Sequence, residues 1–269
     1  MSGTVRLRQV TLGSGPAKIA APLCATTPAD LLREADAVVA AGADVAEWRI
    51  DYLLAARGLT TPPDDLVTVL AGLRERLGDI PLLATVRTAA EGGEVSLRDA
   101  ELGVVVRALI EAAGDGVGHD AVDVELARGE VLPDAVTRAH ELGVVVIASA
   151  HHFDRTPPRA EMLAELTRMA EAGADVAKLA VMAHDPMDVL ELLAATHEAT
   201  QRLAVPVITM AMGPDGVVSR LAGEVFGSVL TFGAVTRASA PGQVDVARLR
   251  DAVALVHETG HTPTDVSGG

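Results

Sequence analysis

Cysteine is almost absent: Cys24 is the only one in 269 residues, so no intrachain disulfide can form and nothing marks an oxidising compartment. The cytoplasm is the expected location. Aromatic side chains are scarce as well, at 2% of the chain, so a core has to be built from Val, Leu, Ala, Ile and Met, and stacking platforms for bases or sugars are mostly missing. Basic charge is in deficit, 22 Lys and Arg against 37 Asp and Glu, and the net charge of -15 repels nucleic acid and anionic membranes. An anionic small molecule fits only if a few arginines converge. No apolar run approaches the roughly 18 residues of a membrane span, and the N-terminus has no signal-peptide core, so a soluble protein is expected.

Chemical motifs are missing too. Gly13-Ser14-Gly15 and the glycines of Gly114-Asp115-Gly116-Val117-Gly118 precede strand-like runs and do not follow them, which excludes a dinucleotide turn. There is no His-Glu-x-x-His spacing and no cysteine cluster to hold a metal, and no Gly-x-Ser-x-Gly for a serine hydrolase. Neither metal nor cofactor is expected.

What is present is a repeating alternation. After a hairpin-like lead-in over residues 4–12, strand-like runs fall at 18–23, 45–50, 81–86, 121–125, 144–150, 176–179, 205–210 and 229–232. Segments of helical period follow each, at 29–40, 64–77, 97–112, 132–141, 159–172, 187–202, 218–226 and 245–258. The strands are apolar with little alternation, as in a parallel sheet covered by helices. Eight such units in series predict an α/β fold closed as a (β/α)8 TIM barrel, one catalytic domain over residues 1–259 with a flexible tail at 260–269.

In such a barrel the functional face lies at the carboxyl ends of the strands. The sixth run, Ala174-Asp175-Val176-Ala177-Lys178-Leu179-Ala180-Val181-Met182, carries one lysine. Burial of an unpartnered ammonium favours the free amine, a nucleophile for carbonyls that forms a Schiff base. The plainer reading leaves Lys178 at the strand's solvent end with its head in water. The other strand ends supply Glu47, Arg49 and Asp51 in one phase, then Arg87, then Asp123 with Glu125, then His151 and His152, then Met210 and Met212. Singly, these charges are equally well read as a salt-bridge network filling the barrel's polar end.

Together they resemble the type I 3-dehydroquinate dehydratases of the shikimate pathway. The resemblance rests on Glu47-Trp48-Arg49-Ile50-Asp51, Arg87-Thr88 with Glu91-Gly92-Gly93-Glu94, Ser149-Ala150-His151-His152-Phe153 and Lys178-Leu179-Ala180-Val181-Met182. It continues through Ile208 to Gly213, Ser219 to Ser228, and Thr231-Phe232-Gly233-Ala234 on to Ala238-Ser239-Ala240-Pro241-Gly242-Gln243. It implies a barrel, usually homodimeric, with Lys178 as the Schiff-base lysine, His151 as the proton-transfer residue and Glu91 orienting it. It also implies substrate contacts from Glu47, Arg49, Arg87, Arg220, Ser239 and Gln243, with Met212 and Phe232 as walls. Pro22 stands where some members place a substrate-contacting serine, and His152 where an aspartate is expected. The alternatives are a Schiff-base aldolase on the same barrel and a non-catalytic barrel that binds a metabolite.

Overall fold

The computed structural model describes residues 3–113, 118–236 and 239–261. A hairpin of β1 (Val5–Leu7) and β2 (Val10–Leu12) comes first, turning at Arg8 with φ 52°. The barrel strands are β3 (Lys18–Leu23), β4 (Val45–Arg49), β5 (Leu82–Thr85), β6 (Ala121–Glu125), β7 (Val145–His152), β8 (Val176–Met182), β9 (Val207–Met212) and β10 (Leu230–Ala234). From β3 to β9 each pairs in parallel with the next, and β10 pairs in parallel with β3. Between β9 and β10 the contact is a backbone bond from Val229 N to Val207 O at 3.0 Å, and Ser228 Oγ accepts from Thr209 N at 3.0 Å.

The covering helices are α1 (Pro28–Ala41), α2 (Ile50–Arg57), α3 (Leu66–Leu77), α4 (Asp99–Ala113), α5 (Val131–Glu141), α6 (Arg159–Glu171), α7 (Pro186–Arg202), α8 (Val217–Ala222) and α9 (Val246–His261). Local chemistry starts and stops them. Thr27 accepts from Asp30 N to cap α1, with Pro28 at its first turn, and Asp185 caps α7 by accepting from Met187 N and Asp188 N.

Several boundaries differ from the sequence reading. Strand β4 ends at Arg49, and Asp51 sits in α2, a helix buried along most of its length and so without the polar face that marks helical period. Strands β7, β8 and β9 run two or three residues further than expected, and β10 gains a partner in the short β11 (Val244–Asp245). Helix α9 reaches His261, so the stretch assigned to a tail begins inside a helix, and residues 262–269 lie outside the described residues. So do the loop glycines at 114–117 and positions 237–238.

Alternation along the strands builds two cores. One phase, including Trp48, Ala84, Val122, Val124 and Leu179, packs against the helices. The other points inward in tiers. The lowest tier, with Val45, Leu83, Ala121, Ile147, Val176 and Ile208, is apolar and closed from below by Leu7 and Leu12 of the hairpin. Two residues further along the same strands stand Glu47, Thr85, Asp123, Ser149, Lys178 and Met210, and two beyond those Arg49, Arg87, Glu125, His151, Ala180 and Met212. The change from apolar floor to charged tier fixes where chemistry takes place.

Near the hairpin turn, His119 is buried with neither ring nitrogen bonded among the described residues, and burial holds its pKa down at about 4 against an ordinary 6.5. Because the folded value is the lower one, the unfolded chain takes up the proton first as pH falls. The stability contributed by the neutral ring is therefore lost between pH 6.5 and about 4. The loss amounts to roughly 3 kcal/mol. His119→Leu is expected to lose correspondingly less stability on acidification, read as urea midpoints at neutral and mildly acidic pH; equal losses in both proteins contradict this.

Candidate active site

One cleft at the carboxyl ends of the strands is lined by Lys178, His151, Glu91, Glu47, Arg49, Arg87, Arg220, Ser239, Gln243, Met212 and Phe232. All eleven residues to which the family resemblance gives a role are thus brought together. The space between its walls, counting the part open to solvent, is about 460 Å³.

Lys178 is buried at 3% exposure, which removes the solvent-end reading. Its amine is not unpartnered, however, and here the sequence reading needs correction. Asp123 Oδ2 lies 2.9 Å from Nζ, Glu47 Oε1 lies 3.7 Å away, and the Phe232 ring centroid is at 4.7 Å. Strand β6 lies two strands from β8 in sequence order, and both inward side chains meet across the barrel axis. Glu47 is itself steadied by the Thr85 hydroxyl at 3.0 Å.

Asp123 is held from its other oxygen. Arg87 donates to Oδ1 at 2.6 Å and Ser149 Oγ donates to the same atom at 2.6 Å. Burial alone would raise the Asp123 pKa, but Arg87 and Lys178, with the Ser149 bond, hold it well below the ordinary carboxylate range. Arg87 also reaches Ser149 at 2.9 Å, Glu125 at 3.3 Å and Glu91 at 3.5 Å, so its guanidinium balances a cluster of three carboxylates.

Glu91 ends a short 3-10 turn, Ala89–Glu91, that folds back under the strand ends. The turn needs glycine twice. Gly92 has φ 79° and a Cβ there would lie 2.2 Å from the Phe153 ring, while a Cβ at Gly93 would lie 1.9 Å from the Arg87 carbonyl oxygen. Asp51 helps anchor the same loop by accepting from Glu94 N at 3.1 Å, and it pairs with Arg49 through two bonds of 2.8 and 2.6 Å. The outcome is a 2.9 Å contact between Glu91 Oε2 and His151 Nδ1. Nε2 is left as the ring nitrogen with no bond to protein among the described residues. Burial, then Arg87 and Lys178, push the His151 pKa well below 6.5, so the imidazole is neutral at working pH. Burial pushes the Glu91 carboxyl up to about 8, so the pair has room for one proton.

His152, the next residue, faces the other way and lies 2.9 Å from Glu165 of α6. Pro22 is buried beside Glu47 in strand register and lacks an N–H to donate into the cleft.

Arg220 rises from α8, whose first turn is pinned beneath β9 by Ser219 Oγ, which accepts from Ala211 N at 2.9 Å. Its guanidinium is 2% exposed and bonds only weakly, to the Pro241 carbonyl at 3.1 Å and the Met210 sulfur at 3.9 Å, while Nε has no partner. No carboxylate pairs with it among the described residues, and burial lowers its pKa to about 10. A buried guanidinium in that state is a site for an anion. Ser239 and Gln243 sit at the same end and bond to each other at 2.9 and 3.1 Å.

This arrangement has relatives. Residues 19–260 match the family model described as type I 3-dehydroquinase. The chain belongs to that family. The 3-dehydroquinate dehydratase of Lactiplantibacillus plantarum is 48% identical over 251 residues, covering 93% of this chain and 96% of that protein. The crystal structure of 3-dehydroquinate dehydratase from Geobacillus kaustophilus superposes with a TM-score of 0.88 at 36% identity, over 96% of this chain and 97% of that one. The type I enzyme from Clostridium difficile, solved with covalently modified comenic acid, gives 0.88 at 38% identity over 96% and 100% of the two chains.

The sequence reading placed Asp123 at this end of the barrel but gave it no role, and it did not assign Phe153, which joins the cleft wall beside Gly92. The signal for Asp123 was its phase, inward and one tier above Ala121. No comparable signal marks Phe153, since its loop position is set by packing.

Proposed function

We propose that the protein removes water from 3-dehydroquinate to give 3-dehydroshikimate, through an imine on Lys178. The observation that carries this reading is one cleft holding a buried amine, a neutral imidazole and a buried guanidinium without a carboxylate partner. The substrate is a cyclic β-hydroxyketone with a carboxylate, and each of those three groups answers one of its features.

Arg220 takes the carboxylate, with Ser239 and Gln243 beside it, and so orients the ketone toward Lys178. Condensation of the amine with the ketone releases water and leaves an iminium, which draws electrons and makes the adjacent C–H far more acidic. His151, neutral and steadied by Glu91 at Nδ1, removes that proton through Nε2. The enamine then expels the β-hydroxyl, which leaves as water with the proton that His151 returns. Hydrolysis of the conjugated iminium frees the product and Lys178. Glu47, Arg49 and Arg87 border the ring's hydroxyls, and Met212 and Phe232 wall the cleft. The electron sink is the substrate's own imine, so the reaction needs no cofactor.

The direct test is borohydride reduction in the presence of 3-dehydroquinate, followed by intact-mass measurement and peptide mapping. One reduced adduct on Lys178 is expected, together with dehydroshikimate in the untreated reaction. An unmodified chain, or an adduct with carbon–carbon cleavage products, overturns the reading.

Arg220→Ala is expected to raise KM far more than it lowers kcat, because the carboxylate keeps its charge throughout and its contact is equally strong in ground and transition states. The loss in kcat/KM is about 2–4 kcal/mol. A fall confined to kcat contradicts the assignment.

We further propose a homodimer in the cytoplasm, as the family resemblance implies. No helix among the described residues is long and apolar enough to cross a membrane. Light scattering reads the oligomeric state directly.

A further inference from the structure

The Lys178 nitrogen has an unusual setting for a nucleophile. Asp123 approaches from β6 at 2.9 Å, Glu47 from β4 at 3.7 Å, and the face of Phe232 from β10 at 4.7 Å. The neighbouring titratable and charged groups are His151 on β7, neutral and bonded to Glu91, and Arg87 after β5, which is tied to Asp123, Glu125 and Glu91. Met210 from β9 adds no charge. Each of the three groups aimed at Nζ presents it with a carboxylate oxygen or an aromatic face. A site that merely exposed a free amine would have surrounded it with apolar or cationic groups.

Building on the imine mechanism proposed above, we infer that Asp123 is a catalytic counter-ion that pairs with the Lys178 nitrogen at both ends of the condensation, as the ammonium of the free protein and as the iminium of the covalent adduct. The balance of the condensation shows why this helps. The ammonium first gives one proton to the neutral His151, the free amine then attacks the ketone, and the former carbonyl oxygen leaves as water with a second nitrogen proton and the one that His151 returns. The nitrogen begins and ends with one positive charge, and no proton is taken from solvent. A carboxylate fixed beside that atom meets the same charge in both states and does not have to reorganise. It also disfavours loss of the iminium proton, and a neutral imine is a poor electron sink. Asp123 suits this task because Arg87 and Ser149 lock its far oxygen, leaving Oδ2 for the nitrogen alone.

Asp123→Asn tests the inference, because asparagine keeps the shape and removes the charge. The expected result is a fall in kcat of roughly 10²-fold, with the remaining activity moved toward acid pH, where solvent supplies the proton the iminium needs. The yield of borohydride-trapped adduct is expected to acquire the same acid dependence, while wild type traps evenly across neutral pH. Circular dichroism and urea unfolding on the same samples separate this from loss of fold. If Asp123→Asn does not fold, Asp123→Glu carries the test: the charge is retained, so its pH profile must match wild type even though misplacement lowers its rate. An Asp123→Asn protein that turns over and traps with wild-type pH dependence overturns the inference, and so does an acid-shifted Asp123→Glu. A wild-type protein that forms no adduct with dehydroquinate instead defeats the imine mechanism itself, so the two failures are distinguishable.

Discussion

Lys178→Ala is expected to reduce dehydration by roughly 10⁴–10⁶-fold and to give no adduct on borohydride treatment, because the amine forms the bond on which every later step depends. The fold is expected to survive. Removing one member of a buried ion pair commonly costs about 3–5 kcal/mol by leaving its partner uncompensated. Here Asp123 retains Arg87 and Ser149, both at 2.6 Å, and Glu47 retains the Thr85 hydroxyl. The measured loss in urea unfolding is therefore expected to fall below that range. Two assays on one preparation, product formation and unfolding midpoint, check both halves. Dehydration within tenfold of wild type would falsify the imine mechanism, whatever the stability.

His151→Ala is expected to stop the reaction at a later point. Lys178 remains to condense with the ketone, but removal of the carbon-bound proton and departure of the hydroxyl both lose their acid–base group, worth roughly 10²–10⁴-fold in rate. Covalent adduct should accumulate, so the variant is slow in turnover yet readily trapped. His152→Ala serves as the neighbouring control, since that side chain leaves the barrel to meet Glu165 at 2.9 Å and does not line the cleft. Adduct mass and steady-state rate, measured on the two variants beside wild type, separate the assignments. A trapped, stalled His152→Ala with a normal His151→Ala would place the base on the wrong face of β7.

Legibility of this protein in its sequence followed physical range. The eight βα units were visible because burial on both faces leaves an apolar strand signature and because residues such as Asp185 and Pro186 announce a helix by local hydrogen bonding and fixed φ. Helix α2 was not visible, since burial along most of its length erases the periodic polar face by which a helix is read. The strand ends were underestimated at β7, β8 and β9: His151 and His152 break the apolar run of β7, Ala180–Met182 and Ala211–Met212 do not, and in all three the backbone ladder continues, through His152, Met182 and Met212. Those are the positions from which a barrel presents its chemistry.

The sequence alone determined the barrel, the shared phase of Glu47 with Arg49 and of Asp123 with Glu125, and the segments that gather around one cleft, because alternation along a strand is a two-residue property and needs no distant partner. Tertiary structure decided what each charge meets. Lysine in an apolar run reads as an isolated amine, yet Asp123 arrives from 55 residues away to pair with it. Arg220 reads as one arginine among several, and only its packing leaves it buried without a carboxylate. Pairing across a barrel depends on strand tilt and register summed around the whole ring, and no local stretch of chain contains that information.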